Sequence, residues 1–472
     1  MAKQKKLIKY DGTVYSSRAN LRTFHCHTPE EYLPLIGEKR LRELLDIAES
    51  MKGMSVLDLN STATGGGVAE MLFSSVPFLD ALGLESEWKT IGIKKEYFQC
   101  TKEIHNLLQG KPGDFTPDME KTYFDTLTEC ATAEPIDYDP DAVIVHDPQP
   151  LGLTRYLRKS GKVWIWRCHI DIEHLGLAGN AGLREFIDLW INGYNAAIFS
   201  ASHYVVSQWS MPKFIIPPFI DPFSEKNREM TEDEISVVLA KYEIDDRIPI
   251  ITQISRFDPW KGMDRTINTY REVKKQFPCQ LILAGGLASD DPEGEQMLAK
   301  IYFDTKDDED IHVLNLSLED RLENYREVNA LQRASSLIMH PAAREGFGLV
   351  ITEALWKSKP VIASNVGAIP LQIRDGDTGF FFESPEKTAE TAVYLLENPE
   401  AAKLMGERGR SYVADHFLLP DRILDYLMCI QMTIKGKGDG VVPKEAIISF
   451  HPWFKLAKRY SVYPQAKPSA AI

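Results

Sequence analysis

Two glutamates flank a glycine-containing turn in the segment REGFGLVITEAL. Glu345 and Glu353 stand eight positions apart, and between them two glycines precede an apolar run that predicts the start of a helix. A carboxylate accepts hydrogen bonds and can take two hydroxyl protons, so it suits a vicinal diol. Glu345 in the turn and Glu353 inside the helix therefore favour a long ligand with a diol at each end, such as a nucleotide sugar. The alternative is a helix-start carboxylate held by the helix dipole and a solvated glutamate.

A second turn carries two cations. Within ISRFDPWKGM, Arg256 and Lys261 follow one predicted strand and precede a predicted helix. A helix N-terminus offers free N–H groups and the positive end of a dipole, so two cations at this place favour binding of a diphosphate. An arginine guanidinium can donate hydrogen bonds to two oxygens at once, whereas a lysine ammonium acts as a point charge. The alternative is a solvated loop with two ordinary surface charges.

Glycines mark the corresponding turn in the first half of the chain. The segment TATGGGVAEML contains Gly65, Gly66 and Gly67, which let the backbone approach a ligand closely. The spacing is not that of a GxGxxG motif, so it does not predict a nicotinamide site. A plain flexible turn is the alternative.

Polar side chains end two further predicted strands. HDPQP places His146 and Asp147 at one strand end, and RCHID places Arg167, His169 and Asp171 at another. Ligands of parallel sheets bind outside the carboxyl ends of the strands, so these groups are candidates to hold sugar hydroxyls. A structural hydrogen bond is the alternative role for each histidine.

Short apolar runs rich in β-branched residues alternate with helix-like segments along most of the chain. This alternation is typical of βαβ units and of a parallel sheet covered on both faces. Three prolines in KFIIPPFIDPFSEKN (213–227) interrupt the rhythm and indicate a joint between domains. The predicted strands occupy 54–60, 142–150, 162–171, 195–207, 249–256, 279–286, 312–317, 335–342 and 360–366.

These elements predict an α/β fold of two doubly wound, Rossmann-like domains that face each other across a cleft. The predicted domains span 1–216 and 217–419, and a C-terminal helix with a tail spans 420–472. The cleft between the domains is the predicted ligand site. The first ~30 and the last ~36 residues are candidates for homodimer contacts or for a lid.

Composition and charge exclude several classes of partner. The net charge of −14, from 54 basic and 68 acidic residues, argues against a nucleic acid or an anionic membrane. No apolar run reaches the ~18 residues of a membrane helix, and no signal-peptide core follows the basic N-terminus. Six widely spaced cysteines indicate reduced thiols in a cytoplasmic protein. His25, Cys26 and His27 are adjacent and rarely converge on one ion in that arrangement, so we predict no metal site.

Six segments give the sequence a resemblance to a known family. REGFGLVITEA and RFDPWKG resemble the paired-glutamate and phosphate-binding motifs of the retaining GT-B glycosyltransferases of the sucrose-synthase-like family. Together with NSTATGGGVAE, HDPQP, WRCHID and DDPEG, they resemble its trehalose-synthase branch, over roughly residues 30–434. The paired glutamates are specific to the wider family, whereas HDPQP and RCHID point to the branch.

The resemblance implies a reaction. Glucose would pass from a nucleoside-diphosphate glucose, ADP-glucose or UDP-glucose, to the anomeric hydroxyl of free glucose and give α,α-trehalose with retention. It implies no cofactor and no metal, and Asp375-Gly376-Asp377 is better explained as a turn. Domain 1–216 would bind the acceptor and domain 217–419 the donor, and the C-terminal helix would cross back to the first domain.

The resemblance also implies roles for individual residues. His146 would lie beside the reacting sugar, Arg256 and Lys261 would stabilise the leaving diphosphate, Glu345 would hold the donor sugar and Glu353 the ribose. The implied donor site is Gly65, Gly66, Gly67, Arg256, Lys261, Glu345, Gly346, Phe347, Gly348, Leu349 and Glu353, and the implied acceptor site is Asp147, Arg167, His169 and Asp171.

Three alternatives stay open. Retaining trehalose phosphorylases share much of this motif set and use inorganic phosphate and glucose 1-phosphate in place of the nucleotide. A related transferase would act on another sugar or on a sugar phosphate. A non-catalytic sensor of nucleotide sugars is the third, because a fold by itself does not fix function.

Overall fold

The computed structural model contains two parallel sheets, one in each half of the chain. It describes residues 9–10, 13–14, 27–63, 66–91, 95–133, 139–157, 163–175, 181–287, 293–318, 320–439 and 446–451.

Seven parallel strands form the N-terminal sheet. Six of the strands lie between residues 55 and 215, and Ser55–Asn60 is the first of them in the chain. In the sheet, the next strand in the sequence, Glu85–Thr90, lies on one side of it and Ala142–His146 lies on the other. The strand order therefore reverses beside it, and ligands of open α/β sheets bind at such a switch point. Across the sheet the order is Ile447–Ser449, Lys213–Ile215, Ala196–Phe199, Val163–Cys168, Ala142–His146, Ser55–Asn60 and Glu85–Thr90.

Six parallel strands form the C-terminal sheet, with the same kind of reversal. Ile250–Ile254 has its successor Gln280–Gly285 on one side and Leu337–His340 on the other. The order is Ile311–Asn315, Gln280–Gly285, Ile250–Ile254, Leu337–His340, Val361–Ala363 and Phe380–Phe381.

Both faces of each sheet are buried. In Ala142–His146, Val143 and Val145 pack into one apolar cluster, whereas Ala142 and Ile144 pack into another on the opposite face. The second sheet shows the same alternation between its own two clusters. Successive side chains of a strand point to opposite faces, so helices on both sides explain why these strands are nearly continuous apolar runs.

Helices provide this cover. Those of the first half are Leu33–Ser50, Gly67–Ala81, Lys95–Leu108, Pro117–Ala133, Thr154–Leu157 and Ala181–Ile191. Those of the second half are Glu232–Lys241, Met263–Lys274, Gly294–Thr305, Arg321–Ala334, Leu349–Trp356, Pro385–Glu397, Pro399–His416 and Leu419–Asp439. Short 3₁₀ turns occupy Pro29–Tyr32, Leu151–Leu153, Ser202–Tyr204, Pro259–Lys261 and Ile369–Leu371, and Lys9–Tyr10 pairs with Thr13–Val14.

The end of the chain returns to the N-terminal half. Helix Leu419–Asp439, which we name the crossing helix, packs along Leu33–Ser50. After it, Ile447–Ser449 pairs with Lys213–Ile215 at the edge of the first sheet. The crossing helix also buries apolar residues in the same cluster as the first sheet. It is therefore part of the N-terminal core.

The predicted α/β architecture is confirmed, with differences in detail. The strand predicted at 195–207 is only Ala196–Phe199, because a 3₁₀ turn follows it. Strand Glu85–Thr90 was not predicted, since ESEWKT lacks an apolar run and gains its burial from neighbouring elements. The domain boundaries at 216 and 419 stay predictions. Within the described ranges, no helix combines the length and apolar character needed to cross a bilayer.

Candidate active site

A cavity of about 400 Å³ lies between the two sheets. Asn60 and His146 reach its wall from the switch point of the first sheet, and Arg256 and Glu345 from that of the second. The topology of the two sheets thus gathers side chains from distant parts of the sequence around one space.

Glu345 is buried on this wall between two partners. Lys261 Nζ donates to Glu345 Oε2 over 2.7 Å, and His340 Nε2 lies 2.7 Å from the same oxygen. Burial alone would raise the pKa of Glu345, but the Lys261 ammonium and His340 together hold this pKa well below its usual range. Glu345 is therefore a charged hydrogen-bond acceptor.

The turn that carries Glu345 depends on its glycines. Gly348 has φ 85° and ψ 68°, a left-handed conformation that favours glycine, and Leu349–Trp356 begins directly after it. A Cβ at Gly346 would overlap the carbonyl oxygen of His169, so only glycine lets the two halves of the chain approach at this point. Gly346, Gly348 and Leu349 line the cavity, and Phe347 lines it too while remaining 4% exposed.

The glycine-rich turn of the first half lies opposite. Gly66 and Gly67 line the cavity, and helix Gly67–Ala81 begins there. A Cβ at Gly67 would lie 3.1 Å from Leu349 Cδ1, a close approach that a larger residue would disturb. Gly65 lies outside the described residues.

The turn with the two predicted cations also faces the cavity. Arg256 and Lys261 are both on the wall. Asp258 between them accepts a hydrogen bond from the Trp260 N–H (2.8 Å) and pairs with Lys102 of the first half (2.9 Å). Burial would raise the pKa of Asp258, but Lys102, Arg256 and Lys261 hold it well below its usual range. An ionised Asp258 therefore fixes the turn while the two cations face the cavity.

Glu353 has no solvent exposure and belongs to a buried charged cluster. Lys226 Nζ lies 2.9 Å from Glu353 Oε1 and 2.7 Å from Glu70 Oε2. Burial, together with the neighbouring Glu353 carboxylate, raises the pKa of Glu70 to about 7, although Lys226 lowers it. The pKa of Glu353 is lowered, since Lys226 and Lys357 outweigh its burial. All three cluster members, Glu353, Lys226 and Glu70, line the cavity.

His146 and His169 belong to a hydrogen-bonded chain. Asp58 Oδ1 accepts from the Tyr426 hydroxyl (2.7 Å) and lies 2.8 Å from His146 Nε2. His146 Nδ1 lies 2.9 Å from His169 Nε2. Burial lowers the pKa of both histidines, so each carries one ring proton. A carboxylate only accepts, so His146 donates through Nε2, and His169 donates through Nε2 to His146. His169 Nδ1 is then the acceptor nitrogen of a ring that lines the cavity.

Asp147 holds the backbone beside this chain. Its φ of 65° is left-handed, which is uncommon for a residue other than glycine. Asp147 Oδ1 accepts from the N–H of His169 over 2.7 Å, and burial raises the pKa of Asp147 to about 7. Asp147 lines the cavity and orients His169.

Arg167 and Asp171 are not on the cavity wall. Arg167 lies inside its strand and stacks on Tyr426 of the crossing helix, 5.5 Å from the ring centre. Asp171 is buried, and its Oδ1 accepts from the Glu173 N–H (3.0 Å). Side chains alternate along a strand, so Arg167 points to the face that the crossing helix covers. Among the described residues, Asp171, Glu173 and His174 form the one group close enough to share a metal ion, and all three lie away from the cavity.

Several wall residues were not identified from the sequence. Lys102, His105 and Gln109 carried a detectable signal, because their spacing places three polar groups on one helix face. His340 ends a buried strand, and its pairing with Glu345 depends on the turn that follows it. The polar wall residues that the sequence did not predict include Glu70, Lys102, His105, Gln109, Lys226 and His340.

Hydrogen bonds join the two halves of the chain near the cavity. The Tyr204 hydroxyl lies 3.0 Å from the carbonyl oxygens of both Glu345 and Gly346. Trp260 Nε1 donates to Asn106 Oδ1 over 3.1 Å. Together with the pair of Lys102 and Asp258, these bonds hold the turn 256–261 and the turn at Glu345 against the N-terminal half.

Two facing Rossmann-like sheets that share such a cavity have the architecture of the GT-B fold, and matches to two family models identify the chain as a glycosyltransferase of this class. A family model described as "Trehalose synthase, N-terminal domain" matches residues 58–206, and one described as "Glycosyl transferases group 1" matches residues 237–412. A trehalose synthase of Pyrococcus horikoshii is 41% identical over 84% of this chain and 94% of its own length. The chain belongs to the trehalose synthase family.

More distant relatives agree with this placement. A trehalose phosphorylase of Pleurotus pulmonarius is 28% identical over 82% of this chain and 58% of its own length. The solved structure of an alpha,alpha-trehalose-phosphate synthase (UDP-forming) from Burkholderia vietnamiensis superimposes with a TM-score of 0.58 at 13% identity, over 83% of this chain and 99% of that chain. At that identity the likeness supports the GT-B fold alone.

Proposed function

We propose that the protein transfers glucose from a nucleoside-diphosphate glucose to the anomeric hydroxyl of glucose and forms α,α-trehalose with retention. The observation that carries this proposal is the buried pair of Glu345 and Lys261 on the cavity wall of a chain in this family. The pair joins a carboxylate suited to sugar hydroxyls with a cation suited to phosphate.

In the proposed reaction, the bond between glucose C1 and the phosphate oxygen breaks, and C1 bonds to the acceptor oxygen. The diphosphate leaves with the electron pair, and Arg256 and Lys261 stabilise the charge that develops on it. The acceptor hydroxyl attacks from the face that the diphosphate leaves, so the configuration at C1 is retained, and it gives its proton to the departing phosphate oxygen. These cations replace a metal ion in the proposal, so the reaction proceeds without one.

The remaining wall residues have places in this proposal. Glu345 binds hydroxyls of the transferred glucose, and His169, oriented by Asp147 and His146, accepts a hydrogen bond from a sugar hydroxyl. Glu353 binds the ribose, whose hydroxyls reach its carboxylate beside the Lys226 ammonium. Removal of water from this closed space would limit hydrolysis of the donor.

The test is one incubation series on the purified protein in the presence of EDTA. Glucose and, separately, glucose 6-phosphate are the acceptors; the donors are ADP-, UDP- and GDP-glucose, and glucose 1-phosphate runs in parallel. NMR detects the two equivalent anomeric protons of α,α-trehalose. Trehalose from a nucleotide donor supports the proposal and names the base.

The same series separates the alternative reactions. Trehalose from glucose 1-phosphate alone would identify a phosphorylase and remove the ribose role of Glu353. A product from glucose 6-phosphate but none from glucose would identify a transferase to a sugar phosphate. A requirement for an added divalent ion after EDTA treatment would contradict the metal-free proposal.

A further inference from the structure

Helix Lys95–Leu108 turns a polar face to the cavity. Thr101, Lys102, His105 and, one residue past the helix, Gln109 all line it. Successive members of this set are one, three and four residues apart, a spacing that places them on one face of a helix. The apolar residues of the opposite face are buried in the core of the N-terminal half. A polar face that is buried in this way needs partners for its hydrogen-bonding groups.

Three polar atoms on this part of the wall lack those partners among the residues the structure describes. They are His105 Nδ1, Gln109 Oε1 and, from the turn after strand Ala142–His146, Gln149 Oε1. All three atoms are buried, and Gln109 as a whole is 4% exposed. Native proteins pair nearly all such groups, so three unpaired atoms around one cavity indicate a site built for a ligand.

The chemistry of these atoms restricts what the ligand can be. An amide oxygen only accepts, so Gln109 and Gln149 need a group that donates, such as a sugar hydroxyl. Burial and the nearby cations, Lys102 first among them, lower the pKa of His105 to about 3, so its ring is neutral. A phosphate group offers mainly acceptors, so it could use only the amide N–H groups of the two glutamines and would leave their buried oxygens without a donor.

The one cation on this helix face is already neutralised. Lys102 Nζ lies 2.9 Å from Asp258 Oδ2 and 3.8 Å from Glu293 Oε2. Both carboxylates come from the C-terminal half, so the pairing also brings this face close to the turn 256–261, which contains Asp258. A phosphorylated ligand would have to compete with two carboxylates for Lys102.

We propose that His105, Gln109 and Gln149 form the acceptor subsite and that they select an uncharged, polyhydroxyl sugar over a sugar phosphate. This proposal rests on the proposed function and names the residues that set its acceptor specificity. Trp260 donates to Asn106 of this helix and Asp258 pairs with Lys102, so the subsite adjoins the turn 256–261 that is proposed to bind the diphosphate. An acceptor held there lies next to the bond that breaks.

The test replaces each amide by an apolar side chain of similar size, Gln109→Leu and Gln149→Leu. The KM for glucose rises about tenfold or more, because the hydroxyls lose their acceptors. The Kd of the nucleotide-glucose, measured by calorimetry without acceptor, stays within about twofold, since the donor seat is untouched. Gln99→Leu, at an exposed position of the same helix, is the matched control and leaves both values unchanged.

Thermal unfolding of the ligand-free variants separates a binding role from a structural one. Removal of an unpaired buried oxygen leaves the Tm of Gln109→Leu equal to or above that of the wild type. A lower Tm together with an unchanged KM for glucose would overturn the subsite. A KM for glucose within about twofold of the wild-type value in both variants would also overturn the subsite.

Acceptor choice and direct binding complete the test. The wild type uses glucose far better than glucose 6-phosphate; equal use would overturn the selection. Saturation-transfer NMR measures glucose binding without turnover, so it remains informative if no donor gives trehalose and the proposed function fails. Loss of the glucose signal in Gln109→Leu supports the subsite, and an equal signal in variant and wild type overturns it.

Discussion

The Lys261 ammonium lies 2.7 Å from the Glu345 carboxylate, although 84 positions separate the two residues in the sequence. Lys261 follows Ile250–Ile254, the first strand of the C-terminal sheet in chain order, and Glu345 follows Leu337–His340, the fourth. These two strands are neighbours because the sheet reverses its order between them. The fold thus joins the cation proposed to bind phosphate and the carboxylate proposed to bind the donor sugar into one unit.

Removal of the Glu345 carboxylate is expected to abolish most turnover. Glu345→Ala lowers kcat by roughly 10²–10³, the cost of one lost transition-state contact. Steady-state kinetics with the donor found in the incubation series measures this. Glu390→Ala, at an exposed helix position, is the control and keeps full activity. Turnover of Glu345→Ala within a few-fold of the wild type would remove Glu345 from the donor sugar.

Loss of the Lys261 charge is expected to shift the pH dependence. The pKa of Glu345 is lower in the folded protein than in the unfolded chain. The ionised carboxylate therefore stabilises the folded state above the unfolded pKa, and this contribution is lost as the pH falls through the folded pKa. In Lys261→Met the main charge that opposes burial is lost and only His340 remains to lower the pKa of Glu345, so this pKa rises and the acid limb of kcat moves toward neutral pH, by about one unit or more. A pH–rate profile measures the shift, and donor binding also weakens.

A surface pair supplies the control for that shift. Lys387 pairs with Glu383 at 3.0 Å, and both side chains are about two-thirds exposed. Exposed ion pairs contribute little free energy, so we expect Lys387→Met to leave the pH–rate profile unchanged. If the acid limb of Lys261→Met also stays in place, Lys261 does not set the charge of Glu345.

The hydrogen-bonded chain from Asp58 to His169 is expected to matter for rate. In Asp58→Asn an amide N–H can donate to His146 Nε2, so the ring proton of His146 moves to Nδ1. His169 Nε2 must then accept from His146, and the ring proton of His169 moves to its Nδ1. Misplaced catalytic groups of this kind cost roughly 10²-fold in rate. Tyr426→Phe removes one hydrogen bond but leaves Asp58 and both ring protons in place, so it costs about 1 kcal/mol in the free energy of unfolding and little in kcat. Kinetics and urea titration of both variants test this, and equal rates for the two would argue against a positioning chain.

The contact of Gly346 with the backbone of His169 is expected to tolerate no side chain. Gly346→Ala places a methyl group on the carbonyl oxygen of His169, so the two halves must separate or strain. We expect the free energy of unfolding to fall by about 1–3 kcal/mol and the activity to fall with it. Gly182→Ala, where the nearest atom is 3.8 Å away, is the control. Wild-type stability and activity in Gly346→Ala would show that the two halves do not meet at this point.

Part of this site was predictable because its residues sit at strand ends. Periodic apolar runs locate strands, and in a parallel sheet the residues after each strand face the ligand. Arg256, Lys261, Glu345, His146 and His169 were selected in this way, and the structure places all of them on the cavity wall. Their individual roles remain predictions.

Other placements depended on packing that no strand pattern encodes. Arg167 belongs to the same RCHID segment as His169, yet it turns to the crossing helix, since neighbouring strand residues point to opposite faces. Glu353 lies on the cavity wall as expected, but its pairing with Lys226, which also pairs with Glu70, is not encoded in its own segment. Which charged groups meet inside a protein depends on elements that are distant in sequence.

The amino-acid sequence by itself determined the class of fold and the turns that carry the chemistry, because hydrophobic periodicity, glycines and helix-start residues act over short distances. Only the tertiary structure decided which of those groups share one cavity. The pairing of Lys261 with Glu345, the chain from Asp58 to His169 and the atoms of His105, Gln109 and Gln149 that lack a partner in the described part of the chain all arise between separate elements. The strand order and the contact between the two halves bring those elements together, and neither can be derived from the spacing of residues along the chain.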